Sequence, residues 1–251
     1  MADGLPHDSI GEIAPALDGS IWVITFGGGL VQYDDRTFWA LTKSDGLPSA
    51  WVSVIREGRN RGIRGLWLGT GDFHDAGGVA FLDGSKVNHW SKGTDIDGGW
   101  MTDIRFDGRE RMWVSSHLRG LFRHDASGLT NLWSTSIMGR MGMDREGTLW
   151  VGNSVGEVRR YREDDWTAYG AEHGLVPEII RAFHHHSDGT LWMASTALGW
   201  ATGTLFRLDG WSFLPASGGN SPLFPQGFRC FASGPDGSLW VGSPVGPLAP
   251  P

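Results

Sequence analysis

Three of the fourteen tryptophans in this chain break a pattern that the other eleven obey. Trp51, Trp100 and Trp200 are accompanied by residues suited to polar recognition: Asp72, His74, Asp75, Asp95, Asp97, His117 and Arg119. Indole faces ringed by carboxylates, imidazoles and a guanidinium match the needs of a small-molecule or oligosaccharide ligand. The ring face stacks on apolar C–H surface, and a few polar groups fix the hydroxyls. The plainer alternative is that these are ordinary decorated loops, with Trp51 and Trp100 capping the strands that follow them.

Other constellations point to less. His184, His185 and His186 invite a metal reading, since imidazole is a common ligand. Only Asp188 lies nearby in sequence, and zinc needs three or four ligands, so solvated turn histidines are expected. Glu12 and Asp103 are the only acids on the first strands of the repeats, beside Arg140, Arg181 and Arg229. Two acids fall short of the carboxylate set of a metal-dependent hydrolase. No nucleophile–base spacing or phosphate loop stands out, so neither a catalytic residue nor a cofactor is expected. Cys230 is the single cysteine, which excludes a disulfide framework.

These residues must be positioned by a repeat. Trp22, Trp67, Trp113, Trp150, Trp192 and Trp240 are spaced 45, 46, 37, 42 and 48 apart, most closing a stretch of the form Asp-Gly-x-apolar-Trp. A period of about 40–50 residues among short strands marks blade-type repeats. Each unit reads as four strands, A to D. In the second, Trp51–Ile55 is strand A, Glu57–Gly65 a polar turn and Leu66–Thr70 strand B. Val79–Asp83 is strand C and Val87–Trp90 strand D. Strand D carries a second tryptophan set, Trp39, Trp90, Trp133, Trp166 and Trp211. These eleven are expected to pack between blades. Four-stranded antiparallel units at this period predict an all-β protein of the β-propeller class.

The predicted blades are 9–42, 51–91, 101–133, 137–169 and 179–214, with an incomplete sixth at 228–251. All belong to one propeller domain spanning 1–251. The sixth is expected to supply strands A and B only, so the chain reads as part of a larger propeller. In a four-stranded blade the B–C and D–A loops leave at one end. That places Trp51, Trp100, Trp200 and their polar companions together, with the B–C loop Gly71–Ala76 enlarged.

Asp45-Gly46-Leu47-Pro48, the matching Asp3-Gly4-Leu5-Pro6, the Asp-Gly-x-Leu-Trp-Val-Gly stretches and Gly28-Gly29-Leu30-Val31-Gln32-Tyr33-Asp34 recur in fixed order. In this the chain resembles the two-component regulator propeller repeat over nearly its whole length. The resemblance implies a sensor, set outside the membrane before a signalling output domain, in several cases concerned with carbohydrate. No output domain is apparent in these residues. A periplasmic or extracytoplasmic setting is implied, although no signal peptide is visible. A propeller lyase of the streptogramin type and a protein-interaction scaffold are the alternatives.

Composition sets limits. A net charge of −7 with interspersed signs argues against nucleic acid as the partner. No apolar run reaches the roughly 18–20 residues of a membrane span. The 39 glycines without collagen periodicity fit a chain of many turns.

Overall fold

The computed structural model describes residues 5–16, 19–84, 86–137, 139–144, 146–197, 202–216, 228, 230–243 and 246–248. Its contacts divide into two compact units, Met1–Thr135 and Ser136–Pro251. The fold class is all-β, a β-propeller whose sixth blade is incomplete.

The first unit holds three four-stranded antiparallel sheets, each with its strands in chain order. The first blade is β1 (Ile10–Pro15), β2 (Ile21–Thr25), β3 (Gly29–Tyr33) and β4 (Phe38–Leu41). The second is β5 (Val52–Asn60), β6 (Ile63–Thr70), β7 (Val79–Asp83) and β8 (Lys86–His89). The third is β9 (Met101–Phe106), β10 (Met112–Ser116), β11 (Gly120–Asp125) and β12 (Gly128–Trp133).

The second unit repeats the plan. Its blades are β13 (Gly142–Met143), β14 (Leu149–Gly152), β15 (Val158–Arg162) and β16 (Asp165–Tyr169), then β17 (Ile179–His185), β18 (Leu191–Thr196), β19 (Leu205–Asp209) and β20 (Ser212–Pro215). The last sheet comprises β21 (Cys230–Ser233), β22 (Leu239–Ser243) and β23 (Gly246–Leu248). It therefore has one strand more than the two expected: β23 pairs antiparallel with β22 through Val241, Gly242 and Ser243.

Apolar strand residues are buried between neighbouring blades. Leu30, Val52, Ile55 and Leu68 fill the first seam, and Val54, Met101, Ile104 and Phe122 the second. Trp150, Tyr169, Phe206 and Phe213 fill the seam between the fourth and fifth blades. Each fully buried large side chain contributes on the order of 2–3 kcal/mol.

The tryptophan ladder divides here. Trp22, Trp67, Trp113 and Trp150 on the second strands are buried, but Trp240 is 44% exposed. Of the strand D set, Trp133 is buried, whereas Trp39 and Trp211 are exposed. The expectation of eleven packing residues is corrected accordingly. Strand D is an edge of its sheet, so a ring there meets a neighbour on one side and water on the other.

Five of the six A–B connections share one turn. In each, the first residue's N–H donates to the carbonyl four residues on, as in Asp107 to Arg111, Asp144 to Thr148 and His186 to Thr190. The second blade departs from this. Its strands run on through the predicted polar turn and meet at Arg61–Gly62, with φ of 51° and 84°. Two successive positive φ values are those of the tight hairpin turn that matches strand twist.

Candidate functional site

The enlarged B–C loop of the second blade is held from both sides. Asp72 Oδ1 accepts the backbone N–H of His74 (2.8 Å) and of Asp75 (2.6 Å), which closes the loop on itself. Asp75 Oδ1 accepts from Lys43 Nζ at 2.9 Å, and Oδ2 from Ser49 Oγ at 2.7 Å and Ala50 N at 3.3 Å. Partial burial pushes the Asp75 pKa up, but the hydrogen bonds from Lys43, Ser49 and Ala50 outweigh it and hold the carboxyl below its usual range. On the other side Gly98 N–H donates to Gly77 O at 2.9 Å.

Gly71 is required for this closeness. Its φ is +108°, and a Cβ there would stand 2.8 Å from the Gly99 carbonyl oxygen. Only glycine combines that backbone with that approach. The loop is thereby carried against the segment that precedes Trp100.

Three rings meet as a result. Phe73 contacts Trp100 edge-on at 4.5 Å between centroids, Phe73 contacts His117 at 5.1 Å, and Trp100 contacts His117 at 5.1 Å. Trp100 and His117 are partly buried, while Phe73 is 64% exposed. Each of the three belongs to a different loop, and T-shaped contacts of this kind favour the ring quadrupoles. The Arg119 stem lies against the Gly98–Gly99 backbone, and its side chain is exposed, as are His74 and Asp95.

The remaining sequence candidates fall elsewhere. Asp97 faces His89 Nε2 at 2.8 Å and accepts Gly93 N–H at 3.0 Å, so it shapes its own turn. Trp51 stacks on Phe26 at 6.0 Å in the seam between the first and second blades. Like Trp100 it meets a phenylalanine that follows the preceding blade's second strand, but stacked rather than edge-on, and it does not join that cluster. Trp200 lies outside the described residues.

Sequence reading missed Phe73 as a site residue, although the loop itself was singled out. A lone phenylalanine in a polar, glycine-flanked loop was the available signal. It also missed Arg56, which bonds Glu12 Oε1 of the first blade at 3.0 Å and Asp103 Oδ1 of the third at 2.8 Å. Asp103 is fully buried and also accepts from Arg105 Nε at 2.8 Å. The first-strand acids therefore tie three blades together.

The histidine run is only in part the solvated turn that was expected: His186 opens the A–B turn, but the run begins within a strand. His184 and His185 end β17, and all three rings are partly buried. His184 Nε2 is 2.8 Å from Ser233 Oγ and its ring stacks on Phe231 at 5.7 Å, so it belongs to the seam with the sixth blade. Strand alternation turns His185 to the other face, where β17 meets the fourth blade. Among the described residues, no group of three His, Cys, Asp or Glu is placed to hold a metal ion. No helix among them is long and apolar enough to cross a membrane.

Solved structures share this fold. The chain is similar to the extracellular domain of a hybrid two component system of B. thetaiotaomicron, with a TM-score of 0.72 and 18% identity over 97% of this chain. A second such domain from the same organism gives a TM-score of 0.58 at 16% identity over 93% of the chain. The chain spans only 34% and 37% of the length of those two domains. A virginiamycin B lyase from Staphylococcus aureus, solved with quinupristin, gives 0.67 at 11% identity, covering 96% of this chain and 79% of that one. No protein-family model and no curated protein matches the sequence. The likeness to two-component regulator propellers read from the motifs is thus met by structural similarity to sensor domains, and at these identities it establishes the propeller fold.

Proposed function

We propose that this chain is the ligand-reading part of a bacterial signalling receptor, without chemistry of its own, and that the Phe73–Trp100–His117 cluster is where the ligand stacks. The observation that carries this reading is the preorganised aromatic platform. An exposed phenylalanine is held edge-on against Trp100 by a loop fastened on both sides. Phe73 is continuous with Trp100 and His117, and contiguous exposed apolar surface, rather than a single exposed residue, marks binding sites. Arg119, whose stem lies against Gly98 and Gly99, and the exposed His74 next to Phe73 would supply the polar contacts to hydroxyls, which favours an oligosaccharide.

Binding is favoured over catalysis because the nearby carboxylates are already occupied. Asp72, Asp75 and Asp97 each accept backbone or side-chain donors that shape the loops. An output domain elsewhere in the full-length protein, and an extracytoplasmic setting, accompany this reading through the likeness to sensor domains.

Thermal-shift screening against oligosaccharides, followed by calorimetric titration of any stabilising compound, tests it. Trp100→Ala and Phe73→Ala are each expected to weaken binding by about tenfold or more, the size of losing an aromatic contact worth 1–2 kcal/mol. Unchanged affinity in both variants would remove the site from consideration.

A further inference from the structure

A second aromatic station stands one blade before the platform, at the same end of the blades. We propose that the two form one elongated site for a linear oligosaccharide long enough to lie across both. Shorter fragments bind at Phe73 and Trp100 alone. This rests on the platform being the ligand site, and adds to it the length and shape of the ligand.

The two stations share a plan, although their rings meet at different angles. In each, a tryptophan just before a blade's first strand meets a phenylalanine from the B–C loop of the blade before. Trp51 precedes β5 and stacks on Phe26, with centroids 6.0 Å and planes 29° apart. Trp100 precedes β9 and meets Phe73 at 4.5 Å and 69°. Phe26 is exposed, as Phe73 is, and Trp51 is partly buried, as Trp100 is. A histidine accompanies each. His117 touches the platform rings, while a Cβ placed on Gly27 would meet the Trp51 ring at 3.7 Å and the His7 ring at 3.9 Å.

The backbone joins the stations closely. Gly71 N–H donates to Trp51 O at 2.8 Å, as His117 N–H donates to Trp100 O at 2.9 Å. Gly71 in turn approaches the carbonyl oxygen of Gly99, the residue before Trp100. Two such contacts leave the tryptophan Cα atoms at most about 14 Å apart. The ground between is Gly71, Gly77, Gly98 and Gly99, so no side chain from these residues rises to part the stations.

Ring pairs set one blade apart suit a ligand that itself presents rings at intervals. An oligosaccharide does so, and offers the apolar face of a sugar to each pair. Two contacts carried on one molecule reinforce each other, because the first sets a high effective concentration for the second. Affinity should therefore climb with chain length until both stations are spanned, and then level off.

A printed array of β-glucan, xylan, mannan and galactan fragments, each as di-, tetra- and hexasaccharide, tests this, with calorimetry on the fragments that bind. The hexasaccharide is expected to bind at least about tenfold tighter than its own disaccharide. Phe26 is exposed, so Phe26→Ala should keep the wild-type melting temperature. It should cost the hexasaccharide about tenfold, the size of one aromatic contact, and leave the disaccharide unchanged. Phe73→Ala should weaken both. Equal affinity for the two lengths would overturn the second station and leave the platform standing. So would Phe26→Ala and Trp51→Ala variants that hold the hexasaccharide as tightly as the parent. Failure of every fragment to bind would remove the platform as well.

Discussion

Asp107 shows how much one carboxylate can organise. Its Oδ2 accepts from Trp113 Nε1 at 2.9 Å and Arg111 Nε at 2.6 Å, and its Oδ1 accepts two backbone N–H groups of its turn. Burial pushes its pKa up, but the donors Trp113, Arg111 and Arg109 outweigh that and hold it below the usual carboxylate range. The folded pKa is thus depressed, so Asp107 stabilises the fold fully above about pH 4 and loses its contribution as pH falls further. Asp107→Asn should cost about 1.5–3 kcal/mol at neutral pH, with a smaller difference near pH 3, measured by urea unfolding. Arg56→Ala should cost more, about 3–5 kcal/mol, because it strips a partner from the buried Asp103 carboxylate. A loss below 1 kcal/mol in the same assay would contradict the three-blade tie.

Loops and seams carry the next set of consequences. Gly71→Ala forces a side chain into a positive-φ position beside the Gly99 carbonyl. It should displace the loop, weaken any platform ligand and cost about 1–3 kcal/mol by denaturation. At the seam between β17 and β21, burial, then the neighbouring His186 and His185, lower the pKa of His184. Burial likewise lowers that of His185, partly offset by Asp144 and Glu146. The unfolded chain therefore takes up protons first, and stability should decline as pH falls below about 6.5. The decline levels off once the folded histidines titrate too. Hydrogen exchange of β21 and β22 at pH 5 against pH 7.5 checks this, and His184→Gln should flatten the difference.

These two elements also show what could be read from sequence. The repeat was legible because its tryptophans and Asp-Gly turns recur at fixed offsets, and the strand order follows from them. The β5–β6 extension was not. Its residues Glu57, Arg59 and Arg61 stand in water, so no apolar alternation marks the strands. Likewise Trp100 was legible as a residue outside the repeat, whereas its partner Phe73 lay in an irregular loop. No periodicity says which way such a loop folds.

For the molecule as a whole, a ligand that binds only the folded chain should raise its melting temperature. At a hundred times its dissociation constant the gain is about 2.7 kcal/mol, or roughly 5–10 °C for a chain of this size.

Asp75 has one further implication. It fastens the platform loop to Lys43, Ser49 and Ala50, which belong to the chain running from the first blade into the second. Anything that levers Phe73 aside therefore pulls on that connecting strap, and the tug is delivered to the first blade as well as the second. In a receptor, such a crank would turn occupancy at a loop into strain at a seam, and Lys43→Met together with Ser49→Ala would let it slip.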